Sequence, residues 1–343
     1  MAFRSVHTAL ASFGTAFAVA SVIASVIAIA PGTSSAQSNP ASAAYPTKPV
    51  RIITPFPVGG GPDGVARLVA DKLSRAWGQP VVVDNRPGGN GFIAIDAFKR
   101  GAKDGTDLIV LDNVHLSAYP SLFRKLPYDP ATDFDTLLPF FRTYFYFTVA
   151  GNSKYKTVGD LIADAKANPG KLNYGSWSVG NPVHLGSELF ESVTGTQMEH
   201  VIYKETTQLY TSVATGELAF ALGSAATAGP LQRAGKLRFL ASASPTRTAA
   251  FPDVPTVAES GGPKGFEVIG WNALAVPKGL PAPVADKIRR DIETALAEPD
   301  VIEKFKSFGY ESFPTTRAQF DTFVRSESKR FAEVIKAANV SLD

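Results

Sequence analysis

The stretch Val50-Arg51-Ile52-Ile53-Thr54-Pro55-Phe56-Pro57-Val58-Gly59-Gly60-Gly61-Pro62-Asp63-Gly64-Val65 decides the fold. It opens with a β-branched, apolar run, the pattern of a strand buried on both faces. A glycine-rich turn follows. Beyond it Val65, Leu68, Val69, Leu73 and Trp77 recur at the spacing of one helix face. Val81-Val82-Val83 then supplies a second short strand, which completes a βαβ unit and implies a parallel sheet covered by helices. Arg86-Pro87-Gly88-Gly89-Asn90-Gly91 turns into another helix through Phe98, and Leu108 to Leu111 is a third strand.

After Asp133 the composition changes. Phe140 to Val149 is an aromatic strand long enough to leave one domain and enter another, and Val158 to Ala167 opens a new helix. The pattern then repeats. Leu172 to Tyr174 reads as a strand, Asn181-Pro182 starts a helix running to about Thr194, and Leu218 to Leu222 and Leu237 to Ala243 are further strands. A return strand is expected at Val268 to Val276. Helices follow over Pro283 to Ala297, Asp300 to Phe308 and Arg317 to Ala338, the last with Phe320, Phe323, Val324, Phe331, Val334, Ile335 and Ala338 on one face. Two crossings imply two hinged lobes, residues 45–142 with 271–343, and residues 143–270.

Composition narrows the function. The chain has 343 residues, 45% of them hydrophobic, so packed cores are affordable and wholesale disorder is excluded. Its formal charge is only +3, with no basic run, which argues against nucleic acid. Zero cysteines rule out disulfides, a thiolate nucleophile and Cys-ligated metal centres. At the N-terminus Arg4 and His7 precede an apolar segment from Phe13 to Ala30, and Ser34-Ser35-Ala36 offers small side chains where a signal peptidase needs them. Residues 1–36 therefore read as a cleaved secretory signal, with an uncleaved anchor as the alternative. Either way the folded part lies outside the cytoplasm.

Two loops carry the chemistry. Gly59 to Gly64 satisfies G-x-G-x-x-G between a strand and a helix, and Asp84 ends the next strand, so a dinucleotide-binding oxidoreductase is one reading. Pro55, Pro57 and Pro62 stiffen the turn where a pyrophosphate would approach, and a secreted protein meets little free dinucleotide. The same donors at a helix start suit a small carboxylate, with Asp63 as a cap. The second loop, Gly175-Ser176-Trp177-Ser178-Val179-Gly180-Asn181-Pro182, leads from a strand into a helix in the same way. A hydrolase reading would use Ser176 or Ser178 with His184, but the stretch misses the G-x-S-x-G elbow. His115, His184 and His200 lack metal-ligand spacing and read as packing or capping residues.

Several segments together resemble the Bug family, periplasmic receptors of tripartite tricarboxylate transporters: Tyr45-Pro46-Thr47-Lys48-Pro49-Val50, Pro55 to Gly60, Asn85-Arg86-Pro87-Gly88, Leu126-Pro127-Tyr128-Asp129-Pro130, Ala167 to Tyr174, and Phe251 to Glu259. The resemblance covers the chain from Tyr45 onward. It implies an α/β, two-lobed periplasmic binding protein fold of type II character, each lobe a mostly parallel sheet flanked by helices. It also implies closure on a small organic acid, delivery to membrane permease subunits, no covalent chemistry and no cofactor, and the chain is expected to act as a monomer. The loops 57–63 and 176–181 correspond to two pincers on one carboxylate. Two departures stand out: Tyr203-Lys204-Glu205-Thr206 where the family has Tyr-Lys-Gly, and Ala219 where an acidic residue is common.

The expected site is Gly60, Gly61 and Asp63 from one lobe and Ser176, Ser178 and Asn181 from the other. Asn113, Tyr144, Trp177 and Thr206 would meet the distal part of the ligand. Phe140, Phe141, Tyr144, Phe145, Tyr146, Trp177 and Trp271 are candidates for flat walls around an aromatic acid, which is favoured over any single aliphatic acid but not over the aliphatic acids taken together. Arg142 is a candidate partner for a second carboxylate.

Overall fold

The computed structural model describes residues 45–59, 61–203 and 205–342; the expected leader lies outside them. The strands are β1 (Val50–Thr54), β2 (Val81–Asn85), β3 (Asp107–Asp112), β4 (Phe134–Ala150), β5 (Asn173–Ser176), β6 (Glu199–Ile202), β7 (Phe220–Ser224), β8 (Leu237–Ser242) and β9 (Ile269–Pro277). The principal helices are α1 (Gly61–Trp77), α2 (Phe92–Lys99), α3 (Val158–Ala167), α4 (Pro182–Thr194), α5 (Thr206–Thr215), α6 (Ala282–Leu296), α7 (Pro299–Phe308) and α8 (Arg317–Ala337). Among the described residues no helix is long and apolar enough to cross a membrane.

Two sheets share β4. Its first part pairs with β9 in the order β2-β1-β3-β9-β4, and its second part pairs with β7 and β8, with β5 and β6 beyond β7. The partner changes between Tyr144, opposite Ile269, and Phe145, opposite Ser224. Parallel pairing is confined to the βαβ units, β2-β1-β3 and β6-β5-β7. The strands that carry the chain between lobes pair antiparallel, because β9 returns against the direction in which β4 left.

Period-two alternation sends the side chains of each strand to opposite layers. In the first sheet Ile52, Leu108, Val110, Leu274 and Val276 pack with Val65, Val69 and Leu73 of α1 and Ile288 and Ile292 of α6. Ile53, Ile109, Leu111 and Ala273 face Ile95 and Phe98 of α2 and Phe320, Phe331 and Ile335 of α8. The apolar stripe of α8 is thus spent on the core. In the second sheet Phe147, Phe220 and Leu222 meet Leu161 of α3 and Val183 and Phe190 of α4, and Tyr146 and Ala221 meet Leu209, Tyr210 and Val213 of α5. Helix α5 and strand β6 have no counterpart in the sequence reading. The helix carries Thr206, Thr207, Thr211, Ser212, Val213 and Thr215, all weak helix formers, and packing of Leu209 and Val213 overrides propensity.

Candidate functional site

Strand register locates the site. Asp112, the last residue of β3, lies opposite Asn272, while Ser224, the last of β7, lies opposite Phe145, next to the crossing. Strand β5 runs parallel to β7 and ends at Ser176. The carboxyl ends of the parallel strands from both sheets therefore converge on the crossing, the place where open α/β sheets bind ligands.

The first loop is built around Asp63. It is 2% exposed. One carboxylate oxygen accepts from Gly59 N at 2.8 Å and Arg67 Nε at 3.0 Å, and the other accepts from Asn85 Nδ2 at 2.8 Å. Asn85 also donates to the Phe56 carbonyl at 3.0 Å, so the turn is tied to β2. Burial works to raise the Asp63 pKa, but the hydrogen bonds from Arg67, Gly59 and Asn85 prevail and hold it below the usual carboxylate range. With both oxygens committed, Asp63 shapes the turn. Gly61 opens α1, and a Cβ there would overlap the Tyr310 hydroxyl, whose ring is stacked on Phe141 at 3.9 Å. Gly60 lies outside the described residues. The dinucleotide reading finds no support here: Tyr310 covers the glycine face, and Asp84 Oδ2 is taken by Arg51 at 3.3 Å and Arg86 at 2.9 Å.

In the second loop Asn181 caps α4, accepting from Val183 N at 2.7 Å and His184 N at 3.1 Å, with Pro182 at the first helical position. Its amide donates to the Ser178 carbonyl. The Ser176 hydroxyl donates to the same carbonyl at 3.0 Å and lies 2.7 Å from His200 Nε2. Ser176 is fully buried, so this contact is structural and offers no accessible nucleophile. Ser178 is exposed, and Trp177, half-buried, packs against both cores of the second sheet. Behind the loop, burial chiefly lowers His200 to about 4, helped by His184 and opposed by Glu188. Glu191 is pushed up to about 7, mainly by burial.

The distal candidates divide. Asn113 is buried and donates to the Ile269 carbonyl at 3.1 Å, bridging β3 to the start of β9. Tyr144 sits at the crossing, its hydroxyl pushed up to about 12 by burial. Thr206 begins α5 and is half-buried. Trp271 is no wall: it is 1% exposed and packs edge-on against Phe320 and Phe323. Phe140, Phe141, Phe145 and Tyr146 are likewise core residues. Arg142 is occupied by Glu311 at 3.2 Å and lies over the Tyr144 and Phe313 rings.

Sequence reasoning missed two residues at the crossing. Asn272 is buried and its amide nitrogen has no partner; the signal was a lone carboxamide inside an apolar run. Asp112 accepts His115 Nδ1 at 2.5 Å, while His115 Nε2, also buried, is unpartnered. A cavity of about 700 Å³ lies elsewhere, between the start of β4, α6 and the start of α8; its Arg289 is already bonded to the Leu137 and Thr315 carbonyls and to Glu293. Among the described residues no cluster of side chains could hold a metal ion.

Two α/β lobes joined by paired crossing strands, with loop-bearing strand ends meeting at the joint, define a two-lobed solute-binding protein. The chain belongs to the TctC family, described as the tripartite tricarboxylate transporter family receptor, which matches residues 65–340. Receptors of this family are periplasmic. The chain is 32% identical over 299 residues to Protein BugT of Bordetella pertussis, covering 87% of this chain and 91% of that protein. A Rhodopseudomonas palustris protein solved with adipate is 30% identical with a TM-score of 0.76, covering 87% of this chain and 99% of that one. The malate-bound MatC protein of the same organism is 26% identical with a TM-score of 0.73, covering 85% and 100%.

Proposed function

We propose that this chain is exported by its N-terminal signal, acts as a monomeric receptor without catalytic activity, and closes two lobes, residues 45–142 with 271–343 and residues 143–270, on one small carboxylate for delivery to membrane permease subunits. The observation that supports the reading is strand register: β1 and β5, which lead into α1 and α4, run parallel to β3 and β7, whose last residues lie beside the crossing. Each turn leads into a helix start, where the aligned peptide dipoles favour an anion; the first amides of α4 are capped by Asn181, so the donors on that side come from the loop before it. Gly60 and Gly61 on one side, and Ser176, Ser178 and Asn181 on the other, supply or shape the donors, and Asp63 holds the first turn in place. Asn113, Tyr144, Trp177 and Thr206 line the distal part. Adipate and malate, bound by relatives, support a carboxylate as the cargo class.

The test is a melting-shift screen of the mature protein against aliphatic and aromatic carboxylates, with NAD as the counter-ligand. A true cargo should add ~2.7 kcal/mol of stability at a hundredfold excess over its dissociation constant. A shift with NAD and with no acid would overturn the receptor reading. Trp177→Ala should weaken aromatic acids more than aliphatic ones, and equal losses would remove Trp177 as a flat wall.

A further inference from the structure

We propose that His184 and His200 are positioning residues for the ligand-holding loop, fixing its two ends so that its backbone donors are aligned before the carboxylate arrives. The proposal rests on the receptor reading and assigns a task to histidines that spacing alone marks as filler. At the far end of the loop Gly180, at φ 80°, donates its N–H to His184 Nδ1 at 3.1 Å. That nitrogen must be unprotonated to accept, which leaves Nε2–H facing Glu188 Oε1 at 3.4 Å. At the near end the single hydroxyl hydrogen of Ser176 goes to the Ser178 carbonyl, so the 2.7 Å contact to His200 is an imidazole N–H donating to the hydroxyl oxygen.

The two rings hold each other. They stack at 4.2 Å, His200 stacks on Tyr174 at 5.0 Å, and Tyr174 donates its hydroxyl to Glu188 at 2.5 Å. Loop ends, β5, β6 and α4 thus form one connected network. Between the ends, the Ser178 carbonyl is drawn in by Ser176 and Asn181, while the Ser178 and Val179 amides donate to no described group. A loop already held in its binding shape avoids an ordering cost when the ligand binds.

The variants His184→Asn and His200→Gln keep an acceptor near Nδ1 and a donor near Nε2; His184→Leu and His200→Leu remove them. With adipate and benzoate as calorimetric probes on the mature protein, each leucine variant should lose about tenfold in affinity, the scale of one hydrogen bond to a positioned group. The Asn and Gln variants should stay within about threefold of wild type. Leucine variants that bind like wild type, or Asn and Gln variants as weak as leucine, would overturn the proposal. Amide exchange of unliganded wild type gives a second readout, independent of whether the leucine variants fold: Gly180 N–H should exchange slowly, and fast exchange also overturns it. If neither probe binds wild type, the receptor reading loses its support with these acids, while Gly180 protection still tests the positioning role.

Discussion

Replacing Gly91 by alanine is expected to lower stability by about 3 kcal/mol, combining the cost of a left-handed backbone with that of overpacking. Gly91 sits at φ 81° at the end of a turn in which Gly88, Gly89 and Asn90 also have positive φ. A Cβ there would come within 2.7 Å of His115 Cδ2 and overlap the neighbouring Nε2. The imidazole has little room to yield, because Nδ1 is held by Asp112 at 2.5 Å and the ring lies edge-on to Tyr119 at 5.2 Å. Urea unfolding reads the effect as a lower midpoint at unchanged slope. Gly78→Ala is the control: its φ is 63° and nothing lies within 4 Å of the added carbon, so it carries the backbone cost alone. Equal losses for the two variants would show that His115 does not confine Gly91.

Asp63→Ala should cost about 2 kcal/mol and at least about tenfold in carboxylate affinity, since it removes the one buried acceptor that ties three partly or fully exposed donors of the first turn together. The pair with Arg67 is half-exposed on the arginine side, so solvent screens part of its contribution. The bonds from Gly59 N and Asn85 Nδ2 fix the turn and tie it to β2. The sign of the pH dependence follows from the lowered pKa of the folded state. The stabilisation is complete above the ordinary carboxylate range, about 4, and is lost as pH falls through the lowered value. The stability gap between wild type and Asp63→Ala should therefore narrow below about pH 4. A gap that widens in acid, or a variant that binds carboxylates normally, would show that Asp63 does not organise the turn.

The βαβ units were legible because periodicity and punctuation agree in them. Val65 to Trp77 and Val158 to Ala167 carry helical spacing, and Asn181-Pro182 states a helix start in its own chemistry. What escaped depends on distant partners. Nothing local in Thr206 to Thr215 outweighs its threonines, and only burial of Leu209 and Val213 makes it a helix. The aromatic run of β4 announced a crossing, yet its walls proved to be core, since alternation within a strand gives a face but not what covers it. The loops were readable as donor-rich turns. The network behind the second one was not, because His184 and His200 meet only when β6 is laid beside β5.

The route of β4 and β9 also sets an order of completion. The second sheet is drawn entirely from the continuous segment 145–242, whereas the first needs β9, contributed more than a hundred residues after β3. A polypeptide that stops before Ile269 holds every strand of one half and leaves β3 paired with β1 alone in the other, so the amino-terminal half, although emerging first, is the last to be finished.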